Sequence, residues 1–248
     1  MSRRQRLAVL AVGGAGLAVL LILACLDLPS FGGAWHPYGD RAVRAALARH
    51  TANTIASINF DLRAYDTLGE MSILFAAVLG CVVLLRQARD EHRQAPEPAD
   101  VTAPVRRYAL LVLPVALVVG LYVIAHGQLS PGGGFQGGVV AATALHLLYL
   151  GADYRALERV RPVGVFEVMD AVAACAYVLV GLAGLLVGGS FLANTVLPYG
   201  TFNTLSSGGT VPLLNAAIGM EVASAVVVLL ARFLEQAVEI ESRTQEGS

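Results

Sequence analysis

Residues 130–138 read Ser130-Pro131-Gly132-Gly133-Gly134-Phe135-Gln136-Gly137-Gly138, and apolar runs press against them from both sides. Residues 110–125 precede the stretch and residues 139–150 follow it, so the chain reverses between two hydrophobic segments with almost no connector. Glycine adopts backbone conformations closed to other residues and lets one backbone approach another directly. At apolar depth the amides of such a turn need partners from the protein or from water. The reading is a tight hairpin between two membrane helices, with Ser130, Pro131, Gly132, Gly133, Gly134, Gly137 and Gly138 as its structural core. A phosphate-binding loop is not supported, because no Lys-Ser/Thr pair follows and no strand precedes.

The rest of the chain fits that setting. Of its 248 residues 56% are hydrophobic and only 14% charged, and the mean hydropathy is +0.66. A soluble domain carries about a quarter charged residues. Apolar runs at 7–26, 68–85, 108–126, 135–150, 163–187 and 211–234 approach the ~20 residues that a helix needs to cross a bilayer. The fold class is therefore an all-α integral membrane protein with about six transmembrane helices. The first run is longer than the apolar part of a signal peptide and lacks a small-residue cleavage site, so it reads as a span. A net charge of −1 with no basic stripe excludes nucleic acid as a partner. Cys25, Cys81 and Cys175 fall inside apolar runs without pairing or ligand spacing and read as buried free thiols.

Residues 87–107, rich in proline, acids and arginine, divide the chain into a two-helix module (1–86) and a four-helix domain (108–248). With six spans and both termini cytoplasmic, thirteen arginines lie inside and four (Arg41, Arg44, Arg49, Arg63) outside, which is the bias that the positive-inside rule expects. Those four stand in a polar stretch whose spacing with Val43, Leu47, Ile55 and Ile58 suits a short interfacial helix.

Function is best sought in ionisable residues at membrane depth, where each is costly to place. Glu221 is the deepest acid and has small neighbours, Gly219 and Ala223. Glu167 and Asp170 are spaced to share one helix face, and His146 reaches their level if the helices are neighbours. Asp66 and Glu70 stand at the outer end of the second span. Each of these acids also has a plain reading, as a helix-pairing contact or a solvated helix end. A metal site from His126, His146, Glu167 and Asp170 is not supported, because the orientation count puts His126 on the opposite side. No serine or cysteine has a histidine at a suggestive spacing, so no enzyme is read here and no cofactor is implied.

The stretch from His126 through Ser130 to Gly138, together with Gly208-Gly209-Thr210-Val211-Pro212-Leu213-Leu214-Asn215 and Gly219-Met220-Glu221-Val222, closely resembles the MnhB/MrpB family of Mrp-type multisubunit cation/proton antiporters. That likeness covers about residues 105–240. Separately, Asp61-Leu62-Arg63-Ala64-Tyr65-Asp66-Thr67-Leu68-Gly69-Glu70 resembles the segment "DFRGFDTLGE" near the C-terminal end of the large antiporter subunit and in the matching small subunit of membrane-bound hydrogenases. Ala64 and Tyr65 depart mildly from it. The resemblance implies a fusion in which the end of the large antiporter subunit precedes an MnhB/MrpB-like domain. It also implies a non-catalytic subunit in a prokaryotic cell (inner or plasma) membrane, with other antiporter membrane subunits as partners and Na+ and H+ as the ions moved. Glu70 is the residue that the resemblance places on an ion path. Alternatives are a membrane arm that couples a hydrogenase-like or other soluble catalytic module to ion movement, and a purely structural assembly protein.

Overall fold

Pro37 opens one helix and Asn53 caps another, Thr102 and Ala103-Pro104 begin a third, and Gly132 and Gly133, both at positive φ, separate two more. Proline suits a first turn because its missing N–H is unpaired there anyway, and a side-chain oxygen at the N-cap takes up a free amide. The computed structural model describes residues 3–28, 36–85, 101–151 and 163–245. The helices are α1 (Arg3–Leu26), α2 (Pro37–Ala48), α3 (Thr54–Ser57), α4 (Ala64–Leu84), α5 (Ala103–Ala125), α6 (Gly134–Gly151), α7 (Val163–Gly188) and α8 (Val211–Gln245). A π turn, Ile58–Leu62, joins α3 to the approach of α4 and is closed by Arg63 N–H on Ile58 O. No strand occurs among the described residues.

Five helices are long and apolar enough to cross a membrane: α1, α4, α5, and the segments Gly164–Gly188 of α7 and Val211–Leu234 of α8. α6, the expected fourth span, has 18 residues and is not among the five; Gln136, His146 and four glycines lower its hydropathy. Helix ends run past the apolar runs. α4 starts at Ala64, where Thr67 Oγ1 donates to Asn59 O (2.8 Å), and α8 continues to Gln245. The polar stretch 37–62 forms two short helices rather than one, because His50 takes a positive φ just after α2. The cysteines are free but not buried: Cys25 and Cys175 are exposed and Cys81 is half-buried. An apolar run marks contact with the bilayer or with a partner as readily as contact with the protein interior.

By packing, the chain forms two compact units, Met1–Asp40 and Arg41–Ser248. In the first, α1 has no buried residue. In the second, α8 is the axis. Of its spanning stretch 61% is buried, against 17% for α4, 11% for α5 and 22% for the α7 stretch. α6 and α7 pack most extensively on α8, α4 and α5 add to it, and α5 pairs with α6 through the glycine hairpin. Leu214, Ile218 and Val222 of α8 meet Phe60, Met71 and Tyr177 in the main apolar cluster.

Lipid tails are as apolar as leucine, so close packing rather than water exclusion must hold these helices together. Glycine supplies it on two faces of α6. A Cβ on Gly137 would stand 2.7 Å from Gly120 O of α5. On the other face, a Cβ on Gly134 or Gly138 would stand 2.5 Å from Asn215 O or 2.8 Å from Gly219 O of α8.

Candidate functional site

The glycine hairpin satisfies its backbone partly within its own turn, where Leu129 and Ser130 N–H both donate to His126 O, and partly through distant side chains. Asn53, from the segment before α3, donates through Nδ2 to both Gly127 O and Ser130 O at 2.8 Å. Its own N–H reaches Gln128 O (2.9 Å), and its Oδ1 caps α3. From α8, Asn215 Oδ1 accepts the first amide of α6, Gly134 N–H, at 2.8 Å. Gln128, fully buried, donates to Leu205 O (2.7 Å) in the long loop before α8. That loop is held by Asn194, whose Oδ1 accepts from the amide and hydroxyl of Thr210 and whose Nδ2 donates to Gly208 O. Three remote stretches therefore close on the hairpin, each through one amide side chain.

The buried carboxylates lie elsewhere, on the packed faces of α7 and α8. Glu221 is 0% exposed, and neither Oε1 nor Oε2 has a hydrogen-bond partner. Asp170 is 5% exposed, its Oδ1 is likewise without a partner, and its charge is within electrostatic reach of Glu221. Asp170, Ala173 and Tyr177 form the buried stripe of α7. The Tyr177 hydroxyl donates to Ala64 O at the start of α4 (3.0 Å) and lies within reach of the Glu70 charge. A carboxylate enclosed without a donor is costly to keep in a structural role alone, because an unpaired buried charge contributes nothing to offset its lost hydration.

The other expected residues separate. Glu167 is not grouped with Asp170; it turns outward, where Arg232 of α8 donates to its Oε1 at 2.7 Å. His146 is half-buried on α6, which packs extensively on α5 and α8 and not on α7. Asp66 is exposed and ion-paired with Arg63, and Glu70 is exposed on α4. His126 ends α5 and stacks on Tyr122 (4.0 Å between ring centroids). Among the described residues no three His, Cys, Asp or Glu side chains gather as a metal site. Sequence reasoning missed Asn53, Gln128, Tyr177 and the half-buried ion pair of Asp61 with Arg49. The ion pair holds the Arg49 guanidinium even more firmly in its charged form, chiefly through the hydrogen bond to Asp61.

A bundle of apolar helices, one of them enclosed by the others and carrying an unpartnered acid, defines a multi-pass membrane protein. Residues 104–228 match the family model described as "Domain related to MnhB subunit of Na+/H+ antiporter", and the chain belongs to that family. It is 38% identical over 80 residues to the B-type subunit of the Na(+)/H(+) antiporter of Alkalihalophilus pseudofirmus, a match that covers 32% of this chain and 55% of that relative. A chain of the membrane-bound sulfane sulfur reductase, an archaeal respiratory membrane complex, matches with a TM-score of 0.70 at 29% identity, covering 94% of this chain and 99% of that one. A chain of the Mrp complex from Dietzia sp. DQ12-45-1b matches in fold with a TM-score of 0.66 at 24% identity, covering 95% of this chain but 26% of that one.

Proposed function

We propose that this chain is a membrane subunit of a multisubunit monovalent cation/proton antiporter complex that exchanges Na+ for H+ across a prokaryotic plasma membrane. It helps to assemble the complex and to line an ion path. Family membership supports the complex, and the observation that carries an ion-handling role is Glu221, enclosed in the central helix with both oxygens unpartnered. The path runs from Asp66 and Glu70 at the outer side, through Glu221 and Asp170, to Glu167 at the cytoplasmic side, with His146 as a flanking group on α6. Six spans (α1, α4, α5, α6, α7 and α8) with both termini cytoplasmic agree with the arginine bias. A two-module chain, 1–86 and 108–248 joined by 87–107, rests on the proline, acid and arginine content of that linker. The test is transport by the purified complex in vesicles. Glu70→Ala and Glu221→Ala are each expected to abolish Na+-driven proton movement while the complex still assembles; unchanged transport in both overturns the path.

A second reading keeps the architecture and changes the machine: a membrane arm that couples a soluble catalytic module to ion movement. The end-to-end likeness to a chain of an archaeal respiratory complex favours it. Mass spectrometry of the chains that co-purify in mild detergent separates the two, since only the second predicts a soluble metalloprotein.

A further inference from the structure

We propose that the Asp170–Glu221 pair is a site that holds a proton and does not coordinate sodium. The proposal deepens the antiporter reading above and rests on it for the purpose of the site, but its chemistry stands on the pair itself. An ionised carboxylate needs water, hydrogen-bond donors or a cation beside it. Glu221 is fully enclosed and has no protein donor at either oxygen, and Asp170 Oδ1 shares that condition. A proton on Glu221 takes the place of those missing partners, because a neutral carboxyl group is far cheaper to enclose than a bare charge.

Sodium asks for something different. A hard cation must exchange its water shell for several oxygen ligands held around it. Ser224, less than one turn from Glu221, has its hydroxyl bound back onto Met220 O at 2.7 Å. The α8 backbone carbonyls near Glu221 are committed to an unbroken helix. Ile218, Val222, Ala225 and Val228 on the surrounding turns are apolar. The pair thus offers carboxyl oxygens without a cage of neutral ones, which suffices for a proton because a proton needs a single lone pair. Other acidic, basic and histidine side chains on the helices packed against α8 are Asp66 and Glu70 on α4, Arg106 and Arg107 at the start of α5, His146 on α6, and Glu167 on α7, and Tyr177 of α7 is the buried phenol among them. Of these, Glu167 is engaged by Arg232 of α8 and Glu70 bears on Tyr177.

Infrared absorption spectroscopy of the purified complex in membranes tests this at fixed pH, in Na+ buffer and again in an equal concentration of choline, with each variant's spectrum subtracted from that of the wild type in the same buffer. The expected result is a carbonyl stretch of a protonated carboxylic acid that disappears in Glu221→Gln, shifts in Asp170→Asn, and is unchanged by Na+. An identical band in wild type and Glu221→Gln overturns the proposal, because Glu221 is then ionised. Loss of the band on adding Na+ also overturns it, because the pair then binds the cation. The spectrum reads the same whether or not the complex drives antiport, so failure of the transport assay and failure of this proposal are separate outcomes.

Discussion

Asn215 shows how one side chain can hold a helix start inside a membrane protein. Its Oδ1 takes the Gly134 amide at a depth where no solvent replaces it. Asn215→Ala leaves that amide unpaired, and the expected cost is about 1–3 kcal/mol. A lowered melting temperature of the detergent-purified protein is the readout. Glu167 stands at the other extreme. Its ion pair with Arg232 is partly open, with side chains 41% and 19% exposed, so solvent screening leaves about 0–1 kcal/mol. Glu167→Gln is accordingly expected to leave the melting temperature within error, whereas Glu221→Gln alters the infrared signature described above. The depth of Glu221 was legible in the sequence, since an acid ten residues into an apolar run has few other readings. Its neighbour was not. Which of Glu167 and Asp170 is enclosed against α8 and which meets it at the exposed edge depends on the rotation of α7, and the two candidates lie only three residues apart. Arg232 and Glu167 are 65 residues apart, and nothing local announces their pairing.

Among the elements, α6 is the one whose sequence constrains its surroundings most. Its glycines fit two neighbours at once, Gly137 against α5 and Gly134 with Gly138 against α8. Alanine at Gly134 or Gly138 would drive a methyl group into backbone, which has no rotamer to yield. Each is expected to cost about 1–3 kcal/mol or more through overpacking. The measurement is the yield of folded monodisperse protein after solubilisation. Gly80 on α4 is the control, with no atom within 4 Å of an added Cβ. Gly80→Ala is expected to leave this chain's own fold intact and to gain up to about 1 kcal/mol from helix propensity. The hairpin between α5 and α6 was legible because glycine clustered between apolar runs has few other uses. The clamp by Asn53 was not. It comes 74 residues before Gly127, from a stretch whose polarity suggested only an interfacial helix. His146 was grouped with Glu167 and Asp170 on the premise that consecutive long helices are neighbours. α6 and α7 instead both pack on α8, which follows them in the chain.

For the whole molecule, the proposed topology makes a sidedness prediction. With Cys25, Cys81 and Cys175 replaced by serine, a cysteine at Arg4 and one at Thr201 are expected to react with an impermeant maleimide from opposite faces of the membrane. In right-side-out vesicles only the Thr201 position labels. Labelling of both from one side overturns the orientation inferred from the arginines. The all-helical membrane architecture was readable as composition, because hydropathy reports length and polarity along the chain, and five of the six expected spans are long and apolar enough to cross a membrane. Which helix became the centre was not, because all the long runs are comparably apolar and only the packing separates them.

That centre has a consequence for how the protein is made. α8 leaves the ribosome after every helix that surrounds it, so α4, α5, α6 and α7 enter the bilayer before their common support exists. Until then the glycine faces of α6 and the stripe of α7 that holds Asp170 have only lipid, insertion machinery or chaperones against them. A ribosome stalled before residue 211 would strand a set of helices without their keystone. Such a fragment is a natural substrate for membrane-bound quality-control proteases.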